Sequence, residues 1–142
     1  MDKNMEQKLI ARAFEAQKRA YVPYSGFSVG AALLAKDGKV YLGCNIENAT
    51  YTPTNCAERT AFFKAVSEGV TEFEAIAIVG GKKDASREEG KLCPPCGVCR
   101  QVMQEFCDAE TFQVILAVSE ENYRVFTLKE LLPLGFGPEH LQ

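Results

Sequence analysis

Apolar residues recur along this chain in two periods, and the switches between them lay out its elements. In MEQKLIARAFEAQKRAY, Met5, Leu9, Ala13, Phe14, Ala16 and Ala20 fall on one side of a helix that stops before Pro23. FSVGAALLAKDGKVYLGCNIEN reads as two β-rich runs joined at Asp37-Gly38, a strong hairpin signal. TNCAERTAFFKAVSEG returns to the helical period, with Ala57, Ala61, Phe62, Ala65 and Val66 together and Gly69 as its stop. FEAIAIVG is short and apolar, as a central strand buried on both faces must be, and Gly80-Gly81 bounds it. The charged run between Gly80 and Leu92 has no period and reads as a solvated loop. A third helix begins near Cys96 and runs through Gln104. FQVILAVS and YRVFT then follow as strands, with Ser119 to Asn122 suiting an antiparallel hairpin. Thr127-Leu128-Lys129-Glu130 is a capping box opening a short last helix, ended by Pro133.

The order α-β-β-α-β-α-β-β-α predicts one domain over residues 1–142: a mixed sheet covered by helices on both faces. Repeats, low-complexity tracts and linkers are absent from the sequence. Along Val40–Glu47, alternation sends Val40, Leu42, Cys44 and Ile46 to the apolar side. Asn45 and Glu47 share the other face at the strand's C-terminal end. An amide beside a carboxylate suits a sugar diol, and it equally suits a polar strand end facing water.

Composition narrows the partners. With 46 % hydrophobic and 25 % charged residues, the 142-residue chain has enough apolar surface to bury a core without staples. A net charge of −3 argues against a polynucleotide, whose phosphates favour a basic face. The opening MDKNMEQK is polar, and no apolar run approaches the roughly 18 residues a membrane span requires. The expected home is the cytoplasm, where thiols stay reduced, so the six cysteines read as metal ligands or core residues and not as disulfides.

Three of those thiols, Cys93, Cys96 and Cys99, stand at spacings of three in KLCPPCGVCRQ. A fourth, Cys56, lies in the first turn of the second predicted helix, as Cys96 and Cys99 lie in the first turn of the third. Helix N-termini favour thiolates through their unpaired N–H groups and their dipole. Two such starts facing each other would bring Cys56, Cys96 and Cys99 to one zinc, with a fourth position open as in catalytic sites. Glu58, two residues past Cys56, would then serve as a proton shuttle. Zinc with three thiolates keeps a net negative charge, which Arg59 and Arg100 would offset by donating to the sulfurs. Other readings remain open: Cys93 as a fourth ligand in a closed zinc or iron–sulfur module, and Asn55-x-x-Glu58 as a capping box only. Cys44, Cys93 and Cys107 otherwise read as small core residues. His140, the single histidine, stands two residues from the end of the sequence and carries no expected role.

Cys56-Ala57-Glu58 followed by Pro95-Cys96-Gly97-Val98-Cys99-Arg100-Gln101 resembles the zinc signature of the cytidine deaminases. Tyr24-Ser25-Gly26-Phe27-Ser28-Val29-Gly30-Ala31-Ala32-Leu33, Asn45-Ile46-Glu47-Asn48 and Glu130-Leu131-Leu132-Pro133 are similar to the short, homotetrameric members of that family. The resemblance covers nearly the whole chain and implies a three-layer α/β/α fold with a five-stranded mixed sheet. It implies hydrolysis of cytidine and deoxycytidine to uridine and deoxyuridine in pyrimidine salvage, with one zinc per chain. Glu58 would carry a proton from the attacking water to N3 of the pyrimidine, and then help ammonia leave. The resemblance further implies that Asn45 and Glu47 bind the ribose 3′-hydroxyl. Phe27 would pack on the pyrimidine, and the main chain of Ala57 would hold the base. Ala49, Tyr51 and Phe136 would reach a neighbouring subunit's site. A relative acting on another aminopyrimidine nucleoside is the alternative within the same chemistry.

Overall fold

The computed structural model describes residues 1–82 and 91–142. Helix α1 (Lys3–Gln17) starts on Asp2, whose side chain accepts from the Met5 N–H. Strands β1 (Phe27–Ala35) and β2 (Val40–Cys44) form the expected hairpin. Gly38 takes a φ of 94° at its turn, and the Asp37 carboxylate accepts from the Lys39 N–H. Then come α2 (Ala57–Ser67), β3 (Phe73–Lys82), α3 (Gly97–Phe106), β4 (Gln113–Ala117), β5 (Tyr123–Thr127) and α4 (Leu128–Leu131), with a 3₁₀ turn at Pro138–Leu141. The capping box predicted at Thr127 and Glu130 is present in full.

The sheet runs β2-β1-β3-β4-β5, with β3 central. Only the β3–β4 pair is parallel, so the sheet is mixed as the element order required. The β3–β4 connection holds α3 and also the charged run after Gly80. Residues 83–90 of that run lie outside the described residues.

Apolar alternation along the strands feeds two cores. Leu9, Ile10, Ala13 and Phe14 of α1 pack on Ala32, Leu34, Ala75, Ala77 and Val79. On the opposite face Ala57, Ala61, Phe62 and Ala65 of α2 pack on Leu33, Ile76, Ile78, Val114 and Leu116. This is the three-layer α/β/α arrangement. The Phe62 ring is fully buried and meets Phe73 of β3, Phe106 of α3 and Phe112 before β4, at centroid distances of 5.0, 6.4 and 6.2 Å. It therefore ties α2 to the C-terminal end of α3 as well as to the sheet. Truncating such a ring removes about 3–5 kcal/mol.

Strand β2 departs from the one-sided reading of its alternation. Val40 and Leu42 do face α1, but Tyr41 and Gly43 are the more buried residues and lie under α2. A Cβ on Gly43 would stand 2.2 Å from the Ala57 carbonyl oxygen and 2.6 Å from the Ala61 nitrogen, so the helix start rests directly on the strand backbone. Ile46, expected on the apolar side, lies past the strand end and is exposed, bridging by backbone to Tyr21 and Asn55.

Candidate active site

Cysteines occupy the N-cap positions of both α2 and α3. Neither Cys56 nor Cys96 makes a side-chain cap bond, so their sulfurs are free to turn toward each other. Cys56 Sγ lies 3.9 Å from Cys96 Sγ, and Cys96 Sγ lies 3.6 Å from Cys99 Sγ at the third helical position of α3. All three sulfurs fall within 4.8 Å of one another. A tetrahedral zinc with bonds of about 2.3 Å holds neighbouring sulfurs about 3.8 Å apart, so the donor set fits that ion in type and spacing. Cys93 stands outside the cluster. Its sulfur packs against Gly80, and burial pushes its thiol up to about 11. The described residues thus give three ligands and not a closed set of four.

Electrostatics distinguish the thiols. Hydrogen bonds from Cys99 and Arg59 bring the Cys56 thiol down to about 5, while Cys99, acting as donor to Cys56, is raised. The Arg59 guanidinium donates from Nη2 to Cys56 Sγ at 3.2 Å, as expected of a cation that offsets thiolate charge. Arg100 is placed differently from the expectation. Its Nε donates to the Pro95 carbonyl at 2.8 Å and its Nη1 to the Leu131 carbonyl at 2.5 Å. It braces the turn carrying Cys96 against the end of α4, so its bonds go to backbone and not to sulfur.

Glu58, in the first turn of α2, is the buried charged side chain among the described residues, only 4 % exposed. Removal from water raises its carboxyl to about 7, with the neighbouring Cys56 charge adding to the rise. The capping-box reading does not hold: the N-cap is Cys56, and the Asn55 amide instead donates to the Thr60 hydroxyl at 3.1 Å. A buried carboxyl without a capping duty, next to three thiols, is suited to carrying a proton.

Asn45 and Glu47 do come to one end of the sheet, but both already hold backbone. Asn45 Oδ1 accepts from the Val29 N–H and Nδ2 donates to the Phe27 carbonyl, each at 2.9 Å. Glu47 Oε1 accepts from the N–H groups of Tyr24 and Ser25 at 3.0 and 3.1 Å, and Oε2 from the Ser25 hydroxyl at 2.5 Å. The Ser25 hydroxyl above all holds the Glu47 carboxyl below its ordinary range. A cleft of about 310 Å³ opens at Tyr24, Ser25, Glu47, Tyr51 and Thr54. A larger cavity of about 520 Å³ lies by the C-terminal end of α1 and lacks any thiol or carboxylate in its lining, so volume does not mark the site.

Phe27 opens β1, half-buried, with its ring over Gly80 beside Cys93. Ala57 is fully buried as the first residue of α2. Ala49, Tyr51 and Phe136 are exposed; among the described residues no hydrogen bond or ring contact joins them to Glu58 or the thiols. Ser25 and Gly80 are neighbours that sequence reasoning did not place at the site, and Cys93 was weighed there only as a fourth metal ligand, not as a packing partner of Phe27. Only the Tyr24–Leu33 motif around Ser25 offered a signal.

Residues 3–115 match the family described as the cytidine and deoxycytidylate deaminase zinc-binding region. The chain is 52 % identical over 135 residues to a cytidine deaminase of Sporosarcina psychrophila, covering 95 % of this chain and 93 % of that one. It superposes on the crystal structure of cytidine deaminase from Burkholderia pseudomallei with a TM-score of 0.80 at 46 % identity, covering 91 % of this chain and 97 % of the other. The Mycobacterium tuberculosis cytidine deaminase structure gives 0.78 at 40 % identity, covering 96 % and 98 %. With the three-thiol cluster, the buried carboxyl and these near full-length matches together, the chain belongs to the cytidine and deoxycytidylate deaminase family.

Proposed function

We propose that this protein hydrolyses cytidine and deoxycytidine to uridine and deoxyuridine with release of ammonia, in pyrimidine salvage. The observation that carries the reading is Glu58, buried in the first turn of α2 beside Cys56, Cys96 and Cys99. Those three thiols would hold zinc, which supplies a Lewis acid that makes water acidic near neutral pH. Glu58 accepts the proton given up by the attacking water and delivers it from its carboxyl to N3 of the pyrimidine. It then takes the proton of the new C4 hydroxyl and hands it to the departing 4-amino group, so the C4 carbonyl forms as the C–N bond breaks and ammonia leaves in balance. The Ala57 main chain, at the helix start, orients the base, and the Phe27 ring covers its face. Asn45 and Glu47 meet the ribose 3′-hydroxyl. Arg59 steadies Cys56 by hydrogen bond. Arg100 acts one step removed, through the Cys96 turn.

A nucleoside suits the sugar end better than a nucleotide. The cleft at Glu47 has a carboxylate and no cation in its lining, so a 5′-phosphate would meet like charge without compensation.

The proposed assembly is a homotetramer in the cytoplasm, with Ala49, Tyr51 and Phe136 completing neighbouring sites. The exposed apolar side chains Tyr51, Leu134, Phe136 and Leu141 support it. Leu134 also holds a φ of 54°, an unfavourable backbone for a branched side chain left wholly in solvent. No helix among the described residues is long and apolar enough to cross a membrane.

The test is the ultraviolet absorbance of cytidine with purified protein, alongside zinc per chain, for wild type and Glu58→Gln. The expected result is one zinc per chain in both and a loss of turnover by several orders of magnitude, about 10³-fold or more, in the variant. Near-full activity of Glu58→Gln would remove the assignment. Zinc without turnover in the wild type would redirect the search to other aminopyrimidine nucleosides.

A further inference from the structure

We infer that Ser25 is a positioning residue that couples the sugar end of the site to the base end, its hydroxyl joining Glu47 to the backbone of Phe27. The hydroxyl donates to Glu47 Oε2 at 2.5 Å and accepts from the Phe27 N–H at 3.0 Å. It therefore uses both of its hydrogen-bonding senses along one line. The other side of Phe27 is held in the same way, because Asn45 Nδ2 takes the Phe27 carbonyl. Both peptide groups of Phe27 thus end on the Asn45-x-Glu47 pair, one directly and one through Ser25.

Local backbone makes this bridge possible. Gly26, between the two residues, takes a φ of 66° and donates its N–H to the Val22 carbonyl at 3.0 Å. That tight turn folds Ser25 back over the Phe27 nitrogen, a conformation that residues with a Cβ rarely adopt. The Glu47 carboxylate draws the turn in from the other side with three donors, the N–H groups of Tyr24 and Ser25 and the Ser25 hydroxyl. Ser25 and Glu47 both line the cleft of about 310 Å³, so a sugar hydroxyl entering it meets the same carboxylate that Ser25 occupies.

The coupling follows from that sharing. This step rests on the proposed reading of Glu47 as acceptor of the 3′-hydroxyl and of Phe27 as the wall of the base pocket. A sugar hydroxyl bound at Glu47 fixes the carboxylate, the carboxylate fixes Ser25, and Ser25 fixes the Phe27 backbone over the base. Sugar binding then improves the placement of a ring at the other end of the substrate, which a free base or a 3′-deoxy sugar would not do.

The experiment measures kcat/KM for cytidine and for 3′-deoxycytidine with wild type, Ser25→Ala and Ser25→Thr, zinc-loaded. The ratio of the two substrates on one preparation cancels any loss of folded or metal-loaded enzyme. In wild type the missing hydroxyl is expected to lower kcat/KM about 10- to 100-fold, the size of a hydrogen bond to a charged group. In Ser25→Ala that factor should shrink by about threefold or more, with KM for cytidine rising. Ser25→Thr, which keeps the hydroxyl, should restore it. A double-cycle comparison of this kind isolates the pairwise effect from general damage. A large wild-type factor that stays equal or grows in Ser25→Ala overturns the coupling and leaves the Glu47 reading standing. A wild-type factor near one removes the Glu47 reading, and the coupling falls with it.

Discussion

Arg59 Nη2 stands 3.2 Å from Cys56 Sγ, with both residues at the start of one helix, so the same turn that delivers a thiolate also delivers the cation that tempers it. Side chains three apart share a helix face, and the Cys-Ala-Glu-Arg order places Glu58 between them in sequence. Arg59→Gln shortens the side chain and removes the charge. Partners of metal ligands typically account for about 10- to 100-fold in affinity or activity, and a drop of that size in deamination rate is expected. Zinc should also leave faster to a chelator. Unchanged rate together with unchanged zinc retention would remove Arg59 from the site.

Much of this centre was legible because its chemistry is local in sequence. Cys56, Glu58, Cys96 and Cys99 sit at two helix starts that the helical period locates without a structure, and the five strands around them follow from apolar runs and turn signals. What could not be read was which partner each polar side chain chooses. Arg100 follows Cys99 directly and stands four residues past Cys96, close enough in sequence to suggest a sulfur donor, yet it bonds the Pro95 and Leu131 carbonyls, and Leu131 is distant in sequence. Asn45 and Glu47 follow β2 directly, but their bonds to Phe27 and Val29 of β1 and to Tyr24 and Ser25 in the turn before it depend on how distant segments meet. Tyr41 and Gly43 misled for a related reason: alternation predicts one buried face, and β2 is covered on both.

Gly43 is where the sheet sets the height of the metal-bearing helix. A Cβ there would stand 2.2 Å from the Ala57 carbonyl oxygen, and backbone cannot rotate away as a side chain can. Gly43→Ala should lower stability by about 1–3 kcal/mol and reduce zinc per chain, because α2 must lift where Cys56 and Glu58 begin. Gly81→Ala, at a position with nothing within 4 Å of the added carbon, is the comparison that should leave both nearly unchanged. Equal melting and metal content in the two variants would mean that the helix start does not depend on this contact.

Gly80 plays the corresponding part under the Phe27 ring. An added Cβ would meet Cys93 Sγ at 2.7 Å and Phe27 Cε1 at 3.2 Å, pressing on the ring through a short side chain that Pro94 and Pro95 help to fix. Gly80→Ala is expected to raise KM for cytidine by about tenfold, in the range that overpacking reaches. Removing the Cys93 sulfur in the double variant Gly80→Ala/Cys93→Ala should make room and recover most of the loss. A double variant no better than the single one would show that Cys93 does not support Phe27.

Phe136 tests whether the site is shared. Its ring is 55 % exposed and stacks on His140 at 5.1 Å, while its carbonyl accepts from Gln101 Nε2 at 2.7 Å. Backbone therefore fixes the segment, and the side chain is left free of the chain's own core. Phe136→Ala should change the stability of the isolated chain by less than about 0.5 kcal/mol, as exposed substitutions do. A residue completing a neighbour's site behaves differently in kinetics: KM for cytidine should rise about tenfold with zinc per chain unchanged, and sedimentation should show a tetramer in the wild type. Mixing Phe136→Ala with Glu58→Gln sharpens the point. Hybrid tetramers in which a Glu58→Gln chain lends its phenylalanine to a Phe136→Ala chain should regain low-KM turnover that neither variant shows alone. A fully active monomer, or no recovery on mixing, would return the site to a single chain.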